Sequence, residues 1–252
     1  MEGREAIGHE VFRLGYVPGA TPAKWARTFR ARHRDVSLEL VPLAAALAEL
    51  AVVGGDVDAA ILRPPVDRAV LHAIPLYAED PVVVVPRDHL LAALDESEPV
   101  EPDDLAEETL VQPADDVLAW AGTPGAQEDA ITPPGKAASH VPATTPDAIE
   151  LVAAGAGVVV LPRSLARLHH RKDVTARPFP AGPMAPVALA WAIEREDERT
   201  EDLIGIVRGR TVNSSRGRPT ATPAPPAEPR RSGGGQTRGR RRTTGRGGRR
   251  RR

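Results

Sequence analysis

The sequence predicts an α/β fold over residues 12–209, followed by a basic tail. Strand and helix patterns alternate as β-α-β-α-β over residues 12–62, an order that predicts a parallel sheet with right-handed crossovers. A second α/β unit follows, and the last strand and helix patterns return to the first. From Asn213 onward the chain has no Val, Leu, Ile or aromatic residue, so the fold is expected to end before that point.

The first strand, helix and second strand are predicted from short local patterns. Residues 12–17 form an apolar run that ends at Pro18-Gly19, as a strand does at a turn. Thr21-Pro22 predicts the start of a helix over residues 22–33, because a hydroxyl suits the N-cap and proline suits the first helical position. Residues 36–41 alternate apolar and polar side chains, which indicates a half-buried strand.

Residues 43–53 form a helical pattern in which only Glu49 is polar, and Gly54-Gly55 ends it. A helix that is apolar on nearly all sides is either buried all round or covered by a partner. Both alternatives remain open at this point. The second predicts a homodimer to which this helix contributes Leu43, Leu47 and Leu50.

The rest of the α/β region is predicted in the same way. Residues 81–86, PVVVVP, are continuously apolar, which indicates a strand buried on both faces. Thr145-Pro146 repeats the Thr-Pro helix start. The remaining strand patterns lie at residues 57–62, 71–77, 109–112, 158–161, 174–179 and 187–193, with helix patterns near residue 90 and at 162–169 and 197–207.

Composition and missing motifs disfavour several classes of protein. The chain has no cysteine, so it holds no disulfide and no thiolate metal site. Its first ten residues are charged and lack an apolar stretch, so we expect no secretory signal and a cytoplasmic location. GxSxG, HExxH and P-loop motifs do not occur. We therefore expect no enzyme activity, no cofactor, no metal site and no membrane span.

Five segments, in their order and spacing, carry a family resemblance: residues 12–40, 46–65, 76–92, 147–162 and 187–194. They resemble the effector-binding (substrate-binding) domain of LysR-type transcriptional regulators. The resemblance implies a type 2 periplasmic-binding-protein fold, in which two Rossmann-like lobes are joined by a two-segment hinge. Lobe I would comprise residues 12–80 and 181–209, and lobe II residues 81–180. Such regulators carry a winged helix-turn-helix before this domain, and with eleven residues before the first strand we do not expect that module here.

The resemblance also implies a ligand in the cleft between the lobes, with Thr21, Thr144 and Thr145 facing it. Arg63 and Gln112 are further candidates because each lies at the end of a predicted strand. The candidate effector-binding residues are Ala20, Thr21, Arg63, Gln112, Thr144 and Thr145. Thr21 and Thr145 would start helices whose N-termini favour a carboxylate, and Arg63 would offer a guanidinium to an anion. The alternatives are ordinary helix caps and solvated loop side chains. We expect a small organic-acid effector and a regulatory role that does not read an operator directly.

The tail, residues 213–252, has a different electrostatic character from the rest of the chain. It contains 13 arginines and one acidic residue, a net charge of +12, whereas the whole chain carries −1. Such a composition predicts disorder and non-specific binding to nucleic acid through phosphates. Two other functions stay open: a nucleic-acid-binding protein that acts through this tail, and a solute-binding protein of a transporter, which would have the same fold.

Overall fold

The computed structural model describes residues 10–209, and five strands in this range form one mixed sheet in lobe I. The strands are β1 (Glu10–Tyr16), β2 (Val36–Pro42), β3 (Ala59–Leu62), β4 (Leu71–Glu79) and β10 (Ala185–Ala192), in the spatial order β2-β1-β3-β10-β4. β1 is parallel to both β2 and β3. The parallel arrangement of the first three predicted strands is therefore confirmed.

One strand, β10, runs opposite to the other four strands of this sheet. β10 lies between β3 and β4 and is antiparallel to both, with Ala188 opposite Leu62 on one side and Pro75 on the other. β10 is buried from Val187 to Ala192, as expected for a central strand. A strand that returns from the far end of the chain can insert in either direction, and no local pattern in β4 records which neighbour it will have.

Helices cover both faces of the lobe I sheet. α1 (Ala23–Arg32) and α5 (Glu198–Val207) pack on one face, in a core that includes Phe12, Phe29 and Leu203. The rings of Phe12 and Phe29 lie 5.0 Å apart. α2 (Ala48–Gly54) packs on the opposite face through Val52. Burying each of these large apolar side chains contributes about 1.5–3 kcal/mol relative to leaving it exposed.

The helix predicted over residues 43–53 is shorter than its apolar pattern suggests. It begins only at Ala48, after a 3₁₀ turn at Ala45–Leu47. Leu43 lies before this turn, and its N–H donates to the carbonyl of Tyr16 at 2.9 Å. Leu43 is therefore tied to the end of β1 rather than placed on the helix. The predicted stop is correct, because Gly55 takes a left-handed conformation with φ of 81°.

Lobe II is built on a smaller antiparallel sheet. Its strands are β5 (Pro81–Pro86), β8 (Val159–Pro162) and β9 (Val174–Pro178), in the order β8-β5-β9. All six residues of β5 are buried, as the continuous apolar pattern predicts. β6 (Thr109–Leu110) and β7 (Lys136–Ala137) form a short parallel pair, and Leu110 bridges to Val158.

Two helices of lobe II matter for the site. α3 (Thr145–Ala153) packs against the lobe II sheet through Ile149 and Val152, and α4 (Arg163–Leu168) begins directly after β8.

None of the helices within residues 10–209 is long and apolar enough to cross a membrane. The disorder predicted for residues 213–252 concerns a segment that lies outside the described residues.

Candidate functional site

A cavity of about 710 Å³ opens between the two lobes. Lobe I contributes the segments that follow β1 and β2, and lobe II contributes one face of α4. The carboxyl ends of parallel strands are where open α/β sheets bind ligands, and small-molecule sites have volumes of roughly 300–1,000 Å³. The lining residues are Tyr16, Pro18, Gly19, Ala20, Thr21, Pro42, Leu43, Ala44, Ser164, Arg167 and Leu168.

The lining of this interlobe cavity is mainly apolar and contains one charged side chain, Arg167. Ser164, Arg167 and Leu168 are spaced i, i+3 and i+4, so a single face of α4 presents a hydroxyl, a cation and an apolar group. The nearby arginines Arg163 and Arg171 pair with carboxylates. Within residues 10–209, Arg167 has no such partner.

A buried ion pair of lobe I contacts lobe II beside the cavity. Arg63 directly follows β3, and its Nη2 lies 3.2 Å from Oε1 of Glu79 at the end of β4. The backbone N–H of Ser164, at the start of α4, donates to the other Glu79 oxygen at 3.2 Å. The Arg63 and Glu79 side chains are only 6% and 9% exposed. We call the three residues the interlobe latch, because they connect lobe I to the first turn of α4.

Gly19 and Tyr77 lie next to the interlobe latch and show that its atoms are closely packed and shielded from solvent. Gly19 has φ of 85°, and a Cβ atom on it would collide with the Ser164 hydroxyl, so only glycine permits this approach of lobe I to α4. The pKa of Tyr77 is raised, first by its partial burial and then by the Glu79 carboxylate, while Arg63 opposes the shift. Nη1 of Arg63 is buried and has no hydrogen-bond partner within the described part of the chain.

Comparison with known proteins identifies the family. The model of the LysR substrate binding domain matches residues 9–211, which is most of the chain. The chain belongs to this family. The resemblance carried by the five sequence segments is therefore confirmed.

Individual relatives agree with this assignment. The Hca operon transcriptional activator HcaR of Escherichia coli (strain K12) is 29% identical over 213 residues, which cover 79% of this chain and 68% of HcaR. The BenM effector binding domain with its effector benzoate superposes with a TM-score of 0.61 at 20% identity, covering 79% of this chain and 90% of that domain. The oxidized form of OxyR gives a TM-score of 0.61 at 21% identity, with 80% and 96% covered. At these identities the two structures establish the fold.

The first predicted helix start of this LysR substrate-binding domain lies at the cavity, but its capping was predicted wrongly. Ala20 and Thr21 both line the interlobe cavity. The N-cap position of α1 belongs to Pro22, which has helical angles and makes no side-chain capping bond. The helix begins one residue later than expected, which places Thr21 before the N-cap position, and its side chain is not used as a cap.

The second Thr-Pro start lies away from the interlobe cavity. Thr144 is the cap of α3, since its hydroxyl accepts from the N–H of Asp147 at 3.3 Å. Thr145, predicted to be the cap, is the first helical residue and is buried, and its hydroxyl donates to Asp115 at 2.9 Å. Neither threonine lines the cavity. The two predicted helix starts are therefore not brought together in one site.

Gln112 belongs to a second cavity, of about 320 Å³, which lies wholly in lobe II. Its amide nitrogen donates to Asp116 at 2.6 Å, and the indole N–H of Trp120 donates to the same carboxylate oxygen at 2.9 Å. Burial raises the pKa of Asp116, although these hydrogen bonds oppose the shift. The residues that line this second cavity are Leu110, Gln112, Pro133, Gly135, Ala137, Ala138, His140 and Val141.

Ser164, Arg167, Leu168 and Glu79 are site residues that the sequence patterns did not single out. The i, i+3, i+4 spacing of the first three, directly after the strand VVLP, is a signal that was available in the sequence. Glu79 carries no such signal, since its role depends on a pairing with Arg63 across the sheet. No group of acidic or histidine side chains within residues 10–209 is arranged to hold a metal ion.

The surface predicted to form a dimer is partly apolar and exposed. On the segment of α2 and the turn before it, Leu47 is 57% exposed, Leu50 65% and Val53 42%. Leu43, assigned to the same surface from the sequence, instead packs toward Gly15 and lines the interlobe cavity. Buried positions on the same helix, Ala51 and Val52, attach it to lobe I.

Proposed function

We propose that this LysR substrate-binding domain senses a small organic acid in the interlobe cavity and takes part in transcription regulation. The observation that carries the proposal is the cavity itself, which has walls from both lobes and a single cation, Arg167. A ligand in contact with both lobes has a different affinity for each interlobe arrangement. Its binding therefore shifts the population of arrangements, which is the requirement for a sensor.

The interlobe latch supplies the element on which such a ligand would act. Because Ser164 donates to Glu79 and also lines the cavity, a ligand that contacts α4 acts on the helix that carries a latch residue. We propose that the effector changes the position of α4 relative to lobe I, and that this change reaches a partner surface. The relatives support the general scheme, since BenM was solved with an effector, benzoate, and HcaR is a transcriptional activator.

We further propose that the domain forms a homodimer through Leu47 and Leu50 of the apolar surface beside α2. Leucine side chains that are more than half exposed lose unfavourable contact with water when a second copy covers them. The same surface would then transmit the interlobe change between protomers, because α2 follows the cavity-lining segment 42–44. We assign no catalytic role to the domain, and we expect it to work in the cytoplasm.

A second function is supported by the tail. The 13 arginines of residues 213–252 favour binding to any polyanion, with phosphate contacts that weaken as salt rises. This activity would be independent of the effector, and it would position the domain near nucleic acid without reading a sequence.

The sensing proposal is tested by blocking the cavity. Small carboxylic acids are screened by thermal shift, and the ligands found are titrated by calorimetry into the wild type and into Ala44→Trp, which fills the cavity. Ala46→Trp is the matched control, because Ala46 is exposed nearby and does not line the cavity. We expect Ala44→Trp to weaken binding at least tenfold and Ala46→Trp to leave it unchanged. Equal affinity in all three proteins would place the ligand elsewhere and refute the proposal.

A further inference from the structure

We infer that the interlobe cavity selects a monoanion with an apolar body, and that Arg167 is the residue that recognises its charge. This inference rests on the proposed function and adds to it the class of ligand and the specificity-determining residue. The sequence pointed to Arg63 for this role, and the structure points to a different arginine on the opposite lobe.

Arg63 is unsuited to bind the effector because its charge is already matched. Its guanidinium is 94% buried beside Glu79, with which it forms an ion pair, and it is not among the residues that line the cavity. An incoming carboxylate would have to displace Glu79, leaving that carboxylate buried without a cation. Breaking a buried pair in this way is strongly unfavourable.

Arg167 has the opposite properties. It lies in the exposed last turn of α4, it lines the cavity, and no carboxylate within residues 10–209 pairs with it. The Ser164 hydroxyl lies one helical turn away on the same face; its oxygen accepts a long hydrogen bond of 3.5 Å from Arg63, and its O–H can donate to the same ligand group. A guanidinium with free donors next to a hydroxyl is a suitable partner for a carboxylate.

The rest of the lining predicts the other end of the ligand. Two prolines, two alanines and two leucines form most of the wall: Pro18, Ala20, Pro42, Leu43, Ala44 and Leu168. No second cation lines the cavity. A second carboxylate on the ligand would therefore lose water without gaining a counter-charge, which is unfavourable. The lining thus favours one negative charge on an apolar body, such as an aromatic or short aliphatic acid.

Three aromatic probes test the number of charges that the cavity accepts. Benzoate carries one carboxylate, benzamide replaces it by a neutral group of the same shape, and terephthalate adds a second carboxylate at the far end. Each is titrated by calorimetry into the full chain at low ionic strength. We expect benzoate to bind about tenfold more tightly than benzamide, the equivalent of one hydrogen bond to a charged group. Terephthalate should bind more weakly than benzoate.

Variants of α4 then assign the preference to one residue. Arg167→Gln should bind benzoate and benzamide equally, and Arg167→Lys should keep most of the preference for benzoate. Arg163→Gln is the matched control, because Arg163 lies on the same helix, pairs with Asp80 at 3.9 Å and does not line the cavity. It should behave as the wild type.

Several results would overturn the inference. A wild type that binds benzamide as tightly as benzoate, or that binds neither, shows no selection for a monoanion. A preference that survives in Arg167→Gln assigns the charge recognition to another residue such as Arg63. Terephthalate bound more tightly than benzoate shows a counter-charge for a second carboxylate and refutes selection of a monoanion. These outcomes are distinct from a failure of the proposed function, which is recognised by ligands that bind Ala44→Trp as tightly as the wild type.

Discussion

The interlobe latch makes a quantitative prediction about stability, because its two charges are almost fully buried. Replacing Glu79 by glutamine removes the negative charge and leaves the Arg63 guanidinium buried without a counter-ion. Removing one partner of a buried ion pair costs about 3–5 kcal/mol. Glutamine keeps an acceptor oxygen for Arg63, so we expect Glu79→Gln to lower the free energy of unfolding by about 3 kcal/mol, at the lower end of that range.

An exposed pair in the same sheet provides the control. Arg13 and Glu39 lie 3.6 Å apart, and their side chains are 48% and 55% exposed. Solvent screens such a pair, so Glu39→Gln should change the free energy of unfolding by less than about 1 kcal/mol. Both variants make the same chemical change in a strand glutamate that pairs with an arginine. The difference between them therefore isolates the effect of burial.

The assay is urea denaturation followed by circular dichroism, with the wild type, both single variants and the double variant Arg63→Gln/Glu79→Gln. The double variant leaves no unpaired charge, so it should be more stable than Glu79→Gln alone. The reasoning is refuted if Glu79→Gln and Glu39→Gln are equally stable, or if the double variant is the least stable of the four proteins. Either result would mean that the Arg63 charge is solvated without Glu79.

Three further predictions concern other parts of the chain. Asp197 caps α5, and although its partial burial opposes ionisation, the hydrogen bonds from Thr200 and the charge of Arg199 lower its pKa. Asp197→Ala should lower the free energy of unfolding by about 1 kcal/mol at neutral pH. Stability that comes from a lowered pKa is lost as the pH falls through that pKa, so the difference between the variant and the wild type should shrink in acid. A difference that stays constant with pH in thermal unfolding would contradict this. Leu50→Glu should convert a dimer to a folded monomer, as measured by sedimentation. Leu90→Glu should not, because Leu90 is 89% exposed in lobe II, away from this surface. A monomeric wild type would disprove the interface. A chain ending at Val212 should lose the salt-dependent binding of duplex DNA, and undiminished binding would exclude the tail as its source.

The parts of the fold that local patterns could predict are those that depend on a single segment. β5 is continuously apolar and is buried on both faces, and the glycine stop of α2 is correct because a left-handed residue can be recognised locally. The insertion of the antiparallel β10 between β3 and β4 was not predictable in this way. It depends on a strand that lies more than a hundred residues after β4 in the chain.

The site was predicted less completely, for the same physical reason. Ala20 and Thr21 line the interlobe cavity because the segment after β1 has to lie at that edge of a parallel sheet. Arg63 also lies at a strand end, yet its pairing with Glu79 depends on the register of strands that are not adjacent in sequence. Gln112 lies in a separate cavity, because the residues that line it with Gln112 belong to β6, β7 and the loops beside β7, all in lobe II.

Hydrogen–deuterium exchange with and without benzoate tests the sensing mechanism most directly, because it locates the ligand on both lobes at once. An effector in the interlobe cavity should slow exchange in the segment after β1, residues 17–21, and in α4, residues 163–168, in the same titration. The Ala44→Trp variant should lose both effects. Protection confined to residues 133–141 would place the ligand in the second cavity of lobe II, and protection of one lobe alone would contradict a ligand that bridges the two.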